Sequence, residues 1–120
     1  VLHTKIVLGK RKHTNLSLEQ FLSTTVSIEK MCIDTIDVNI NMTVPWYLMA
    51  SYAYYVEDNP ILSDEYFDRI SQKMIKNWGD IEHMHKHLIT LDMLGAGSYL
   101  GEYPSMVKGA LEEIRKSNSD

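Results

Sequence analysis

The sequence predicts a mainly α-helical domain of the α+β class, in which a short β-containing N-terminal extension precedes a helical body. Three observations support this prediction. Helical spacing of apolar residues recurs after Pro45, whereas apolar and polar residues alternate strictly from Thr35 to Val44. The 120 residues, 44% of them hydrophobic, also suit a single core. We therefore expect an extension over residues 1–44 that packs on a helical module over residues 45–120.

The N-terminal extension contains two candidate strands with a helix between them. The apolar residues 6–8 (Ile-Val-Leu) predict a short first strand. Residues 17–20 (Ser-Leu-Glu-Gln) match a capping box and predict a helix that begins near Leu18. The second strand is expected over residues 35–44, where apolar side chains occupy alternate positions and would cover one face of a sheet. These apolar residues are Ile36, Val38, Ile40, Met42 and Val44.

The helical module begins at Pro45, a residue that suits the first turn of a helix. Residues 46–57 contain no helix breaker, and the Asp-Asn-Pro sequence at residues 58–60 predicts where this helix ends. Ser63 then predicts the N-cap of a second helix. The first turn of this helix carries two acidic residues, which the positive end of the helix dipole stabilises. Gly79 predicts the end of that second helix. Its apolar face consists of Phe67, Ile70, Met74 and Trp78.

The remaining residues predict two more helices. One helix is expected to follow Asp80, and a glycine-rich turn is expected over residues 95–101. The C-terminal helix is predicted to be amphipathic, because its apolar residues recur at helical spacing. They are Met106, Val107, Ala110, Leu111 and Ile114.

The composition limits the classes of function. A formal net charge of −4 argues against a protein whose main task is to grip duplex DNA through its phosphates. We interpret the basic residues near the N-terminus, Lys5 and residues 10–13, as a solvated turn. Cys32 is the only cysteine, so we expect no disulfide within these residues and a reducing cytoplasm. No run of about 18 apolar residues predicts a membrane span.

The middle of the chain carries a recognisable motif. It reads Tyr54-Tyr55-Val56-Glu57-Asp58-Asn59-Pro60-Ile61-Leu62-Ser63-Asp64-Glu65-Tyr66-Phe67-Asp68-Arg69-Ile70. This run resembles the N-terminal subdomain of bacterial NAD-dependent DNA ligases, which carries a paired aromatic, a Val, an Asp-x-Pro turn, an Asp, a Tyr-Asp pair and an apolar residue at these spacings. The resemblance implies a ligase-type helical subdomain.

A longer stretch, from Met42 through Ala110, resembles small phage-encoded proteins related to that ligase subdomain. The similar segments include Val-Pro-Trp-Tyr at residues 44–47 and His-Lys-His-Leu-Ile-Thr at residues 85–90. This second resemblance implies a viral origin. The protein would then act in the cytoplasm of the host cell.

In the ligases, this subdomain binds the nicotinamide mononucleotide half of NAD and holds the leaving group in line for a lysine that attacks the adenylyl phosphorus. The resemblance thus implies NAD or nicotinamide mononucleotide as the ligand, with no metal. A planar nicotinamide needs aromatic faces, and its carboxamide and ribose hydroxyls need acceptors that carboxylates supply. Carried over by position, the binding residues are Tyr54, Tyr55, Asp64, Phe67 and Asp68.

Two departures from the ligase pattern affect the expected activity. Phe67 stands where the ligases have Tyr, and Tyr55 stands where His is common; the hydroxyl lost at Phe67 would weaken binding by about 1 kcal/mol. The nucleotidyltransferase motif Lys-x-Asp-Gly is absent, because the nearest string, residues 76–79, has Trp78 in place of Asp. Trp78 suits a packed core. We therefore expect no catalytic residue in this chain and no ligation by it alone.

Alternatives to nucleotide binding stay open. In one alternative, the scaffold is a module that binds a host or viral protein of DNA metabolism or host-defence evasion. In another, it is a subdomain of a split ligase. Binding to DNA also stays open. His83 and His87 would share a helix face, but two ligands are too few for a typical metal site, which favours a packing role. At least one of Tyr52, Tyr54 and Tyr55 is expected to line a surface or cleft.

Overall fold

The computed structural model describes residues 18–99 and 101–117, with side chains described for residues 24–99 and 101–117. This part of the chain is helical and contains no β-strand. Short 3₁₀ turns at Ile40–Met42, Trp78–Asp80 and Lys86–Leu88 lie between the longer helices. The α-helices are α1 (Leu18–Val38), α2 (Thr43–Ser51), α3 (Asp64–Lys76), α4 (Leu91–Ala96) and α5 (Ser105–Ser117).

The predicted strand over residues 35–44 is wrong. α1 continues through Val38, a 3₁₀ turn follows, and α2 already begins at Thr43. Ile36 is buried whereas Val38 is 88% exposed, so side chains two positions apart point in different directions, as they do in a helix. Asn39 separates the helices, because its extended backbone ends α1 and its side chain accepts a hydrogen bond from the Asn41 N–H.

The other expectations for the N-terminal extension have different outcomes. The helix predicted from Leu18 is present and extends to Val38. The predicted strand at residues 6–8 lies outside the described residues. α2 begins at Thr43, two residues before Pro45, and so includes Pro45 in its first turn.

α2 lies at the centre of the described core, packed against both α3 and α5. Trp46 is buried in this core. The helix continues as a π-helical turn over Tyr52–Val56 and stops at Asp58, whose φ of 52° is incompatible with helix. The predicted end at residues 58–60 is therefore confirmed. The buried residues of α2 are Thr43, Val44, Trp46, Tyr47, Leu48, Met49, Ala50 and Ser51.

α3 follows the local signals closely. The Ser63 hydroxyl accepts a hydrogen bond from the Tyr66 N–H at 3.3 Å, which confirms the predicted N-cap. Three of the four predicted apolar residues, Phe67, Ile70 and Met74, are buried. The fourth, Trp78, lies beyond the end of α3 in a 3₁₀ turn and is half-buried against the core.

The helix predicted after Asp80 begins later than expected, at Leu91. Residues 81–90 contain only turns, and the Lys86 ammonium organises them by donating to the carbonyls of Trp78 and Ile81, each at 2.8 Å. These two hydrogen bonds connect residues that are eight and five positions apart in the chain. The first helix after Asp80 is α4, six residues long.

The C-terminal part confirms the predicted amphipathic helix and corrects the turn before it. Residue Gly95 is helical, and α4 ends at Gly97, whose φ of 71° is in the left-handed region that glycine adopts without strain. In α5, Val107 and Leu111 face the core. Met106 and Ala110 are exposed and therefore lie off the face of α5 that packs on the core. No helix in the described part of the chain is long and apolar enough to cross a membrane.

Candidate functional site

Two adjacent tyrosines occupy the π-helical turn that ends the α2 region. The rings of Tyr54 and Tyr55 pack edge to face, with centroids 4.9 Å apart, and both side chains are half-buried. The Tyr55 hydroxyl donates a hydrogen bond to the Gly97 carbonyl at 2.9 Å, which ties the turn after α4 to this pair. The structure thus leaves aromatic surface at this position partly open to solvent, as was expected for the group Tyr52, Tyr54 and Tyr55.

Asp64 lies beside this tyrosine pair. Burial, together with the neighbouring Tyr54 and the Asp64 carboxylate, raises the pKa of Tyr55 to about 12. Asp64 and Asp68 are one turn apart in α3, so they share a flank of the helix, and both are half-buried. The structure therefore brings Tyr54, Tyr55 and Asp64 together. The face of an aromatic ring next to a carboxylate acceptor is suited to a planar cation.

Phe67 differs from the other candidate residues, because it is only 2% exposed. Its ring stacks on that of Tyr47, with centroids 5.0 Å apart and an interplanar angle of 28°. Protein atoms therefore cover the face that a ligand would use. In this conformation Phe67 packs in the core next to the site and offers no open stacking surface.

A chain of tyrosines behind the site was not recognised from the sequence. Tyr47 meets Tyr99 edge to face at 6.3 Å, Tyr99 meets Tyr103 at 5.0 Å, and Tyr103 meets Tyr52 at 5.1 Å. The Tyr99 hydroxyl donates to the Glu102 carbonyl. In the sequence, the only indication of this group is the pair Tyr99 and Tyr103 on either side of Gly101. Their contacts with Tyr47 and Tyr52 become visible only in the fold.

The buried and half-buried tyrosines predict a loss of stability at alkaline pH. Burial raises the pKa of Tyr47 and of Tyr103 above the ordinary value near 10, and that of Tyr55 to about 12. Because the folded-state values are raised, their contribution is complete below about pH 10 and is lost as pH rises through the folded values. We expect the melting temperature to fall by roughly 10 °C between pH 9 and pH 11.5.

Thermal unfolding followed by circular dichroism at constant ionic strength measures this effect. The variant Tyr55→Phe removes one of the ionising groups and should make the decline with pH shallower. A melting temperature that does not change up to pH 11.5 would contradict the prediction.

A cavity of about 240 Å³ lies on the other flank of α3, where that helix meets α1. Its floor residues Cys32, Ile36 and Ile70 are at most 5% exposed, so a ligand there would bury little additional apolar surface. Burial raises the pKa of the Cys32 thiol to about 12, which keeps it protonated and unreactive. This cavity is lined by Cys32, Ile33, Ile36, Asp37, Tyr66, Arg69, Ile70 and Lys73.

The histidine-rich segment has a different geometry from the one considered from sequence. His83 and His87 are not on one helix face, because these residues form turns. The rings of His83 and His85 lie 5.5 Å apart, and burial together with His85 lowers the pKa of His83. Within the part of the chain that the structure describes, no three His, Cys, Asp or Glu side chains are grouped as metal ligands.

Comparison with known families gives one match. Residues 48–93 match the family model described as the DNA ligase-like, N-terminal NAD⁺-binding domain. The match covers less than half of the 120 residues and includes all five candidate binding residues. No curated protein and no solved structure matches the chain. The class defined here is therefore a helical domain with a ligase-like segment, while α1 and α5 lie outside the matched residues.

Proposed function

We propose that this protein is a phage accessory protein that binds the nicotinamide mononucleotide half of NAD through its ligase-like segment. The observation that carries the proposal is the grouping of Tyr54, Tyr55 and Asp64 inside the residues that match the NAD⁺-binding family. These residues come from two different helical segments, and the fold places them side by side. The phage origin rests on the resemblance of residues 42–110 to small phage-encoded proteins.

The chemistry of the ligand agrees with these side chains. The nicotinamide ring of the oxidised nucleotide is a planar cation, which aromatic rings and carboxylates both attract. Tyr54 and Tyr55 would contact the ring, while Asp64 and Asp68 would accept hydrogen bonds from the ribose hydroxyls and the carboxamide. Phe67 would not contact the ligand but would stabilise the core next to these residues through its contact with Tyr47.

Adenylyl transfer by the ligase mechanism would require the lysine of a nucleotidyltransferase motif. The motif Lys-x-Asp-Gly is absent from the sequence, and Trp78 of the nearest string packs against the core. We therefore propose a binding function for this chain, in which no residue attacks the adenylyl phosphorus.

Titration with nicotinamide mononucleotide tests the proposal. In ¹H–¹⁵N spectra we expect amide shifts confined to residues 52–68, with saturation at millimolar nucleotide. Asp64→Asn should weaken binding about tenfold, because a hydrogen bond to a charged group is lost. Asp34→Asn is the matched control, since Asp34 is an exposed carboxylate on α1 that pairs with Lys30.

Tyr54→Ala provides a second variant for the same titration and should also weaken binding, because a stacking surface is removed. The proposal would be contradicted if the wild-type protein is folded and its spectra show no shift at about 10 mM nucleotide. A dissociation constant above this concentration would be too weak for a binding function. Equal affinity in the wild-type and Asp64→Asn proteins would remove Asp64 from the site.

A second function is favoured by the burial of Phe67. Because Tyr47 covers the ring and the ligase hydroxyl is missing, the scaffold would instead bind a host or viral protein without a nucleotide. A stoichiometric partner recovered from infected cells, together with an absence of nucleotide shifts, would support this alternative. In a split ligase, by contrast, adding the protein would restore NAD-dependent adenylation to a ligase that lacks its own subdomain.

A further inference from the structure

The turn that joins the tyrosine pair to α3 has an unusual backbone. We call residues 57–63 the joining turn. Within it, Asp58 has a φ of 52°, a region that residues other than glycine rarely adopt. The chain is held around it by two backbone hydrogen bonds, from the Glu57 N–H to the Tyr52 carbonyl at 3.1 Å and from the Asn59 N–H to the Ala53 carbonyl at 2.8 Å. A conformation of this kind persists only where the surroundings enforce it.

Arg115 of α5 holds the first half of the joining turn. Its Nη2 atom donates to the Glu57 carboxylate and to the Asn59 carbonyl, each at 2.7 Å. The two contacts lie on either side of Asp58, so one guanidinium fixes both ends of the strained residue. The Arg115 side chain is only 28% exposed, which limits screening of the ion pair by solvent.

Glu29 of α1 holds the second half of the joining turn. Its Oε2 atom accepts a hydrogen bond from the Ser63 N–H at 2.6 Å, and the residue is 8% exposed. Ser63 is the N-cap of α3, so the carboxylate stands at the positive end of the helix dipole. This contact fixes where α3 begins, and hence where Asp64 lies.

We propose that Arg115 and Glu29 are positioning residues for the nicotinamide-nucleotide site. They lie outside residues 48–93 and in different helices, yet each is bonded to the joining turn that sets the separation between the tyrosine pair and Asp64. Holding binding groups in place before the ligand arrives lowers the entropy lost on binding. The flanking helices thus complete the site. The ligand in this inference rests on the proposed function, whereas the ordering of the turn does not.

Amide hydrogen exchange and nucleotide titration of the same variants test the inference. In Arg115→Gln we expect the Asn59 amide to exchange about tenfold faster than in the wild type, because the charge-assisted bonds are lost. The dissociation constant for nicotinamide mononucleotide, measured by NMR on the folded protein, should rise about three- to tenfold. Arg115→Lys should restore part of both values, since it keeps the charge near Glu57.

Lys116→Gln is the matched control, because this substitution removes the same charge from the same helix. The Lys116 side chain is 75% exposed. The substitution should leave both measurements unchanged. A general loss of stability would also speed the exchange of core amides such as that of Met74, whereas the proposed effect is confined to the joining turn. If Arg115→Gln does not fold, Glu57→Gln breaks the ion pair and leaves the bond from Arg115 to the Asn59 carbonyl.

Each outcome decides one part of the inference. Exchange at Asn59 that is equal in Arg115→Gln and Lys116→Gln would overturn the ordering role. Faster exchange with an unchanged dissociation constant would show a structural contact without a positioning role, which would also overturn the proposal. A wild-type protein that binds no nucleotide would refute the proposed function, while the exchange rates would still decide whether Arg115 orders the turn.

Discussion

Tyr47→Ala is expected to lower the free energy of unfolding by about 4 kcal/mol, as large aromatic deletions in cores do. The Tyr47 side chain is completely buried, and its ring contacts those of Phe67 and Tyr99. Its removal would open a cavity between α2, α3 and the segment after α4. Urea denaturation followed by circular dichroism measures the change.

Two further variants separate the ring of Tyr47 from its hydroxyl. The hydroxyl lies 3.4 Å from the Ser98 carbonyl, a long hydrogen bond, so Tyr47→Phe should cost about 0.5 kcal/mol. Tyr66→Ala is the matched aromatic deletion at a half-buried position and should cost about 1 kcal/mol. If Tyr47→Phe is as damaging as Tyr47→Ala, the hydrogen bond and not the ring contact is what stabilises this part of the core.

Glu29→Ala is expected to lower the free energy of unfolding by about 2 kcal/mol. The substitution removes a buried carboxylate and leaves the Ser63 N–H without its acceptor at the start of α3. Chemical denaturation with two probes, far-UV circular dichroism and tryptophan fluorescence, measures the loss. Both probes should report the same midpoint, because the contact joins two helices of the described core.

The conservative variant and a neighbouring residue serve as controls for Glu29. Glu29→Gln keeps an oxygen that can accept from the Ser63 N–H, so about half of the stability should return. Lys30→Ala removes a side chain that is 75% exposed and should change stability by no more than about 0.5 kcal/mol. A loss in Lys30→Ala equal to that in Glu29→Ala would indicate a general effect on α1.

Both variants concern residues whose importance was not visible in the sequence. Tyr47 belongs to a hydrophobic helix in which each apolar residue predicts burial equally well, and Glu29 is a charged residue, a type that usually lies on a helix surface. Their roles depend on partners that are distant in the chain. The Tyr47 hydroxyl meets residue 98, and the Glu29 carboxylate meets residue 63.

Local sequence determined the parts of this protein whose stabilising contacts are also local. The Ser63 cap, the acids beside it and the buried stripe of α3 all depend on neighbours within a few residues. The same short range applies to the motif of residues 54–70, which is why the candidate binding residues could be named and their segment matches a ligase-like family.

The tertiary structure decided what depends on packing between distant segments. The alternating pattern of residues 35–44 fits a strand as well as the meeting of two helices, and burial of Ile36 and Val44 in a helical core selected the helices. The sequence suggested that Phe67 presents an aromatic face to a ligand, whereas in the structure the Tyr47 ring stacks on it. The joining turn, finally, takes its geometry from Arg115 and from Glu29, residues that no local pattern connects to it.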